Sequence, residues 1–440
     1  MTTKPPQRKL FGTDGVRGRV GDLITPELAL ALGRACVASS DVERPQVVVV
    51  RDTRESGPML ESAFAAGVAA AGGDAYLAGV LPTPAASILV RRHGLDLAAV
   101  VSASHNPWHD NGIKFFGADG RKLADEREAA IEQRLDAAPA AGGAGAIRTL
   151  DGALDDYLRE LTTAFRLDLS GRRVLLDCAN GAAYRAAPAV FGRLGAEVET
   201  IGDEPDGRNI NAGCGSTHVA ALAERVAASD ADLGFSFDGD ADRVLAVDRT
   251  GAVRDGDEIV ALGARHLDSA GELSGGVAVT VMTNYGFHSA MAEQGIEVAT
   301  TDVGDRYVID ALLERGWTLG GEQSGHVIWT DFAPTGDGIA AALLVLRALD
   351  GADLAQVEPF ERLPQRLENV EVADRDALDG ASALWEAVDA ESSQLEGRGR
   401  VLVRPSGTEP LVRIMVEAPG AGECDEVLER LVEVARRELA

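Results

Sequence analysis

The sequence predicts an α/β fold built from several related units that face one cleft, with a small α+β domain at the C-terminal end. Three observations carry this. Short β-branched runs alternate with Ala/Leu/Glu-rich helical stretches. Many of the runs end in a loop with polar or acidic residues, and ligands gather at the carboxyl ends of strands in open α/β sheets. After Leu363-Pro364 the pattern changes to two strands and a closing helix.

The strands are expected at Val47 to Val50, Leu97 to Val101, Val174 to Asp177, Leu233 to Phe237, Val277 to Met282 and Trp317 to Gly320. Helical patterns cover Pro26 to Ser39 and Leu60 to Ala71. In the second, Glu61 begins a small-residue face suited to tight packing on a sheet. Ala137 to Ala146 (AAPAAGGAGA) reads as a linker that loosens the first domain. Arg254 to Asp257 follows a strand-turn-strand and is expected to open a third unit. The tail places strands at Val401 to Val403 and Val412 to Glu417, and a helix from Glu423.

Composition narrows the function. The chain has 440 residues, 45% hydrophobic and 25% charged, ordinary values for a globular protein. Its formal net charge of −28 repels nucleic acid and anionic membrane, so neither is expected as a partner. An anionic substrate would need local positive charge against that background, and only four of the 42 basic residues are lysines. The cysteines Cys36, Cys178, Cys214 and Cys424 form no Cys-x-x-Cys pair and are expected as buried thiols. Met1 to Lys9 is polar, unlike a signal peptide, and the apolar run Ile339 to Leu349 is short and holds Arg347. A cytoplasmic location is therefore expected.

Four segments carry chemistry. In Phe237-Asp238-Gly239-Asp240-Ala241-Asp242-Arg243, carboxylates at alternate positions would share one side of an extended backbone. Such a cluster raises its own pKa values unless a cation sits among it, and oxygen ligands suit Mg²⁺. An EF-hand is excluded, because its sixth and twelfth positions would fall on Arg243 and Arg249 instead of Gly and Glu. Ser102-Ala103-Ser104-His105-Asn106-Pro107 ends a strand in a polar turn without a Gly-x-Ser-x-Gly elbow. By itself it suits a turn serine as well as a nucleophile. Nearby Lys114 lies between apolar residues, where partial burial would lower its pKa for proton transfer or supply charge for phosphate.

Arg404-Pro405-Ser406-Gly407-Thr408-Glu409-Pro410, with Arg413, combines two hydroxyls, a glycine and two arginines in a phosphate cradle. It lacks the Gly-Lys-Ser/Thr ending of a nucleotide P-loop, so ATP is not implied. Glu322-Gln323-Ser324-Gly325-His326 can exchange hydrogen bonds with sugar hydroxyls. Asp302-Val303-Gly304-Asp305-Arg306 and Asp14-Gly15-Val16-Arg17-Gly18 are glycine-framed loops with acid and arginine.

Together SASHNP, DGDADR, GEQSGH and RPSGTEP, in this order and spacing, resemble the α-D-phosphohexomutase superfamily across essentially the whole chain. FGTDGVRG, NGIKFF, NINAGCGSTH (Asn209 to His218), VGDRYV and TGDGI (Thr335 to Ile339) resemble its bacterial amino-sugar branch. Pro107-Trp108-His109-Asp110 departs from the more usual Pro-Phe-Tyr-Asp.

The resemblance implies four domains around a central cleft: residues 1–148 for the phosphoserine, 149–254 for the metal, 255–366 for the sugar and 367–440 for the phosphate. It implies that Ser104 is the phosphorylated serine and that its phosphate joins Asp238, Asp240 and Asp242 in holding one Mg²⁺. Arg17, Lys114 and His326 would surround the reacting hydroxyl. Arg243, Asp305, Glu322 and Ser324 would bind the sugar phosphate, with Arg404, Ser406, Gly407, Thr408 and Arg413 on its non-reacting phosphate. The implied reaction interconverts glucosamine 6-phosphate and glucosamine 1-phosphate through glucosamine 1,6-bisphosphate, which also serves as activator, on the way to UDP-N-acetylglucosamine and peptidoglycan. The same chemistry on mannose or glucose phosphates is the alternative. A silent sugar-phosphate sensor and a phosphatase are the other readings. A homodimer is compatible with the resemblance.

Overall fold

A computed structural model describes residues 10–12, 14–136, 143–405 and 410–439. The polar Met1 to Lys9 segment and the first part of the expected linker, 137–142, lie outside the described residues. Two compact units are present: residues 1–281 with 299–357, and residues 282–298 with 358–440.

The larger unit contains three sheets with one plan. In the first, Gln46–Arg51 lies between Asp74–Val80 and Leu97–Val101, all parallel, and Asp110–Gly117 returns antiparallel beside Leu97–Val101. In the second, Arg173–Asp177 lies between Glu197–Ile201 and Leu233–Phe237, all parallel, and Val244–Asp248 returns antiparallel. In the third, Val277–Thr280 lies between Val298–Thr301 and Leu319–Gly321, and Val327–Trp329 returns antiparallel. The order second-first-third-fourth occurs three times. Each turn from the third strand into the fourth forms a short loop, at 102–109, 238–243 and 322–326. These loops hold SASHNP, DGDADR and EQSGH.

Most expected strands hold within a residue or two. The third-sheet strands shift most: Leu319–Gly321 replaces Trp317 to Gly320, and the first strand stops at Thr280. Trp317 instead packs in the local apolar cluster with Leu312 and Ile328. The helix carrying Glu61 packs on the first sheet as expected, with Arg51 Nε donating to Glu61 Oε2 (3.1 Å), and it also packs closely on the preceding helix. A Cβ on Gly33 would stand 2.2 Å from Phe64 O, and one on Gly67 2.1 Å from Leu30 O. The two helices, Pro26–Ala38 and Gly57–Ala70, therefore touch backbone to backbone.

The described end of the expected linker is docked, which corrects its reading as a loosening element. Ala146 N–H donates to Asp74 Oδ1 (2.7 Å) and Gly145 N–H to Ala69 O (2.8 Å). Ile147–Thr149 then adds a parallel strand to the first sheet beside Asp74–Val80. The helix Gly256–Ser269 opens the third sheet's segment with a capping box, Asp255 with Glu258. The apolar run Ile339 to Leu349 forms the buried helix Gly338–Leu349, capped by Asp337. No helix among the described residues is long and apolar enough to cross a membrane.

The smaller unit has an antiparallel sheet in the order Gln365–Glu371, Leu411–Glu417, Arg400–Pro405, covered by Ser382–Leu395 and Ala421–Leu439. The edge strand and first helix carried no motif, and the sequence reading did not include them. Tyr285–Glu293 belongs to this unit. Asn284 Nδ2 donates to Glu417 Oε1 (3.0 Å), and Phe287 meets Phe360 edge-on.

Two outcomes test this packing. Gly67→Ala is expected to lower unfolding free energy by about 1–3 kcal/mol through overpacking against Leu30, read from urea denaturation with an unchanged slope. The second concerns Asp337, whose oxygens lie 3.0 and 2.9 Å from the Tyr157 hydroxyl. Burial pushes its carboxyl from 3.8 up to about 6, although the Ala340 N–H and Tyr157 oppose the rise. The folded chain thus holds this proton more tightly than the unfolded chain. Its stabilising contribution is complete below 3.8 and is lost as pH rises through about 6. At about 1.4 kcal/mol per pH unit between the two values, the loss is roughly 3 kcal/mol. Asp337→Asn should flatten that fall in denaturation measured across the same pH range.

Candidate active site

The three loops meet in the larger unit. At the end of Leu97–Val101, Ser102 Oγ donates to Asp52 Oδ2 (2.7 Å) and accepts the Ser104 N–H (2.9 Å). Ser102 is thereby engaged in holding the turn. Ser104, buried and in the left-handed region at φ 49°, turns its hydroxyl to donate to Asp238 Oδ2 at 2.5 Å. His105 Nδ1 lies 3.4 Å from the same hydroxyl.

Asp238, Asp240 and Asp242 are buried with ligand oxygens all within 4.8 Å of one another. They do not share the side of an extended strand, as alternate spacing suggests. The segment is a tight turn with Ala241 at φ 57°, and Asp238 O accepts the Ala241 N–H (3.0 Å). Gly239 is needed where this turn passes the serine loop, because a Cβ there would stand 2.5 Å from Ser104 O. Asp240 is held by Thr83 Oγ1 (2.6 Å), and the Arg243 N–H donates to Asp238 Oδ1 (3.1 Å).

Lys114 supplies the counter-charge. Its Nζ donates to Asp240 Oδ2 at 2.8 Å and lies 3.4 Å from Asp242 and 3.7 Å from Asp14. Here the expected direction is corrected. Burial pulls the ammonium pKa down, but Asp14, Asp240 and Asp242 outweigh it and hold the group protonated. Burial and the other two carboxylates push Asp238 well above the usual range. Asp242 sits well below it, because Lys114 and His326 overcome its burial.

The donor set fits a hard cation. Besides being all-oxygen, it leaves Asp240 Oδ1 and Asp242 Oδ1 buried without a hydrogen-bond partner among the described residues.

A second ring of charge joins the loops. Lys122 Nζ contacts Asp14 Oδ1 at 2.5 Å and also pairs with Asp305, while Arg17 pairs with Asp14. The His326 ring lies between Asp242 (3.7 Å) and Asp305 (3.6 Å). Burial lowers its pKa, but these two carboxylates raise it more. Lys122 was missed as a participant, and Asp14 stood out only as the acid of a glycine-framed loop. The signal available was that Lys122 is one of only four lysines.

The 322–326 loop joins the end of the 238–243 turn. Val244 N–H donates to Gly325 O (3.0 Å), and Glu322 Oε1 accepts the Gly304 N–H (3.0 Å), fixing the Asp305 loop. Ser324 is exposed, and Arg243 Nε is buried without a hydrogen-bond partner among the described residues.

The smaller unit carries Arg404 and Arg413 directly opposite on adjacent antiparallel strands. Like charges facing each other destabilise a bare sheet. Burial and Arg413 together lower the Arg404 pKa, and Arg413 Nε is buried without a hydrogen-bond partner among the described residues. An anion would relieve both conditions. Ser406, Gly407 and Thr408 lie outside the described residues.

Four domain models described as phosphoglucomutase/phosphomannomutase match in order: α/β/α domain I at 8–141, domain II at 155–251, domain III at 255–366 and the C-terminal domain at 367–434. A phosphoglucosamine mutase of Desulforudis audaxviator is 50% identical over 97% of this chain and 97% of its own. That of Bacillus subtilis is 44% identical over 98% and 99%. Among solved structures, a phosphoglucomutase/phosphomannomutase family protein from Burkholderia thailandensis matches with a TM-score of 0.82 at 24% identity, covering 98% of this chain and 97% of that one. Aspergillus fumigatus N-acetylphosphoglucosamine mutase, in complex with GlcNAc-6P and magnesium, matches at 0.69 and 20% identity, covering 100% and 97%. With a buried serine turn beside a carboxylate triad and this likeness along its whole length, the chain is an isomerase belonging to the phosphoglucomutase/phosphomannomutase family, in its phosphoglucosamine mutase branch.

Proposed function

We propose that this chain interconverts glucosamine 6-phosphate and glucosamine 1-phosphate through phosphorylated Ser104 and a 1,6-bisphosphate, in the cytoplasm. The carrying observation is the Ser104 hydroxyl at 2.5 Å from Asp238 in the buried triad. A turn serine needs no such neighbour.

The bond between phosphorus and Ser104 Oγ breaks as one forms to the free sugar hydroxyl, whose proton leaves to a neighbouring base. The second transfer returns the other phosphoryl group to Ser104. Phosphoryl transfer depends chiefly on positioning and on neutralising spread-out negative charge. Lys114, held as an ammonium, supplies that charge, with Arg17 and Arg243 beside it. His326, bracketed by Asp242 and Asp305, is placed to move a proton. Asp238, Asp240 and Asp242 would hold Mg²⁺, which when bound adds Lewis-acid stabilisation of the phosphoryl oxygens. The Aspergillus relative's magnesium complex supports that choice of ion. Glu322, Ser324 and Asp305 take the sugar hydroxyls. Arg404, Ser406, Gly407, Thr408 and Arg413 take the phosphate that is not reacting.

A coupled assay comparing glucosamine 6-phosphate, glucose 1-phosphate and mannose 1-phosphate, with bisphosphate present, tests the reading. Glucosamine 6-phosphate should give the highest kcat/KM, and Ser104→Ala should lose turnover while staying folded. A preference for mannose or glucose phosphate would assign the sugar alternative. Steady release of inorganic phosphate without isomerisation would mean a phosphatase. Turnover surviving in Ser104→Ala would refute the phosphoserine route. Separately, Mg²⁺ at a hundredfold excess over its Kd should stabilise the fold by about 2.7 kcal/mol. Asp240→Asn should abolish that thermal shift.

A further inference from the structure

Ser104 occupies an uncommon backbone conformation for a residue with a side chain, φ 49°. Such a conformation persists only where its surroundings over-determine it. Its N–H is held by Ser102. Its carbonyl is held by two buried side chains from opposite directions in the sequence.

Arg54, in the turn after the first sheet's central strand, is fully buried. Its Nη2 donates to Ser104 O (2.8 Å) and Asn106 O (2.8 Å). Nη1 donates to Asp110 O (3.0 Å) and also to Pro107 O, and Nε donates to Asp52 Oδ2 (2.8 Å). A guanidinium has five N–H donors in a fixed fork, and here each one finds an acceptor. Three are carbonyls of the serine loop, the fourth is that of Asp110 where the next strand begins, and the fifth is the carboxylate that also engages Ser102. The fork thus spans the loop from Ser104 to Asp110.

Asn211, from the NINAGCGSTH segment, reaches the same loop from the region matched by the second domain model. Its Nδ2 donates to Ser104 O (2.9 Å) and Asn106 O (3.2 Å). Two carbonyl acceptors assign the amide nitrogen to this side. Asn211 is itself left-handed, at φ 57°, with its N–H donating to Ala179 O (2.9 Å). Among the described residues neither side chain hydrogen-bonds to the triad carboxylates, although Asn211 Nδ2 packs against Gly239 of their turn, and neither entered the proposed reaction.

We infer that Arg54 and Asn211 are positioning residues that clamp the Ser104 carbonyl and so aim its hydroxyl at the Asp238 cluster. This inference rests on the proposed phosphoserine reaction. The clamp fixes the peptide group that follows Ser104, while Ser102 fixes the one that precedes it. Because Asn211 lies in a different domain-model region from Ser104, the aim also depends on register between the first and second sheets.

Asn211→Ala and Arg54→Lys test it in the full chain with Mg²⁺. Lysine keeps the charge for Asp52 but has only three donors and no fork. Thermal unfolding, kcat and KM on glucosamine 6-phosphate, and intact mass after incubation with glucose 1,6-bisphosphate are the readouts. Misplacement of a reacting group by about 1 Å can cost about a hundredfold. Folded Asn211→Ala should therefore lose about 10- to 100-fold in kcat, with KM within about twofold of the parent. Arg54→Lys should lose at least as much, and both should take up phosphate more slowly. If Arg54→Lys does not fold, Asn211→Ala decides. Folded variants with kcat within about twofold of the parent, or a loss that merely follows the folded fraction, would overturn the inference. An active parent with such variants refutes the clamp alone, whereas a parent that neither turns over nor takes up phosphate refutes the mutase reading with it.

Discussion

Three carboxylates buried within 4.8 Å of each other set the constraint on which the larger unit depends. Their mutual repulsion in a low-dielectric interior must be offset by charge brought from elsewhere. Lys114 does this from the antiparallel strand of the first sheet, while the carboxylates sit on the second and His326 approaches from the third. The cluster therefore couples all three sheets. Asp14 and Lys122 extend it outward, so opposite charges alternate from the buried triad to the Asp305 loop. In a chain of net charge −28, the cations gathered here are what keep this carboxylate cluster from adding unopposed to the surrounding field.

The repeated sheet plan explains why such convergence arises. A parallel strand that turns straight back into an antiparallel neighbour leaves a short loop, held at both ends by sheet hydrogen bonds. Three such loops can approach closely only where side chains do not intervene. Gly239 passes Ser104, Gly325 passes Val244, and Gly338 passes the carbonyl of Arg243, with Cβ positions 2.5, 2.2 and 2.5 Å from backbone oxygens. Precision at this site comes from backbone against backbone.

Much of this was legible in the sequence because the chemistry is compressed into short segments at strand ends. Leu97–Val101 and Leu233–Phe237 fall where their apolar runs place them, and DGDADR shows its acidity openly. Less legible was anything that depends on distant residues meeting. Lys114 was expected to have a lowered pKa because its neighbours in sequence are apolar, whereas its neighbours in space are carboxylates. Arg54 lies in an unremarkable Arg-Asp-Thr-Arg turn, and nothing local says that four carbonyls about fifty residues away will surround it. The small-residue face beginning at Glu61 announces sheet packing, but the backbone contact of Gly67 with the preceding helix is not announced, because periodicity identifies a face without naming every partner.

The helix Tyr285–Glu293 bears on how the molecule can be taken apart. It lies inside the stretch matched by the third domain model, yet it belongs to the smaller compact unit. The chain thus passes between the units three times, near residues 281, 298 and 357. A polypeptide ended at residue 366 would retain this helix without Glu417 to hold Asn284 and Tyr285. Dissection along sequence-family boundaries would therefore leave a piece of one folding unit stranded on the other. A smaller unit produced from residue 367 onward would keep Glu417 without Asn284 and Tyr285, which donate to it. Splitting this protein into independently folding parts requires rerouting the chain around residues 282–298, not simply cutting it.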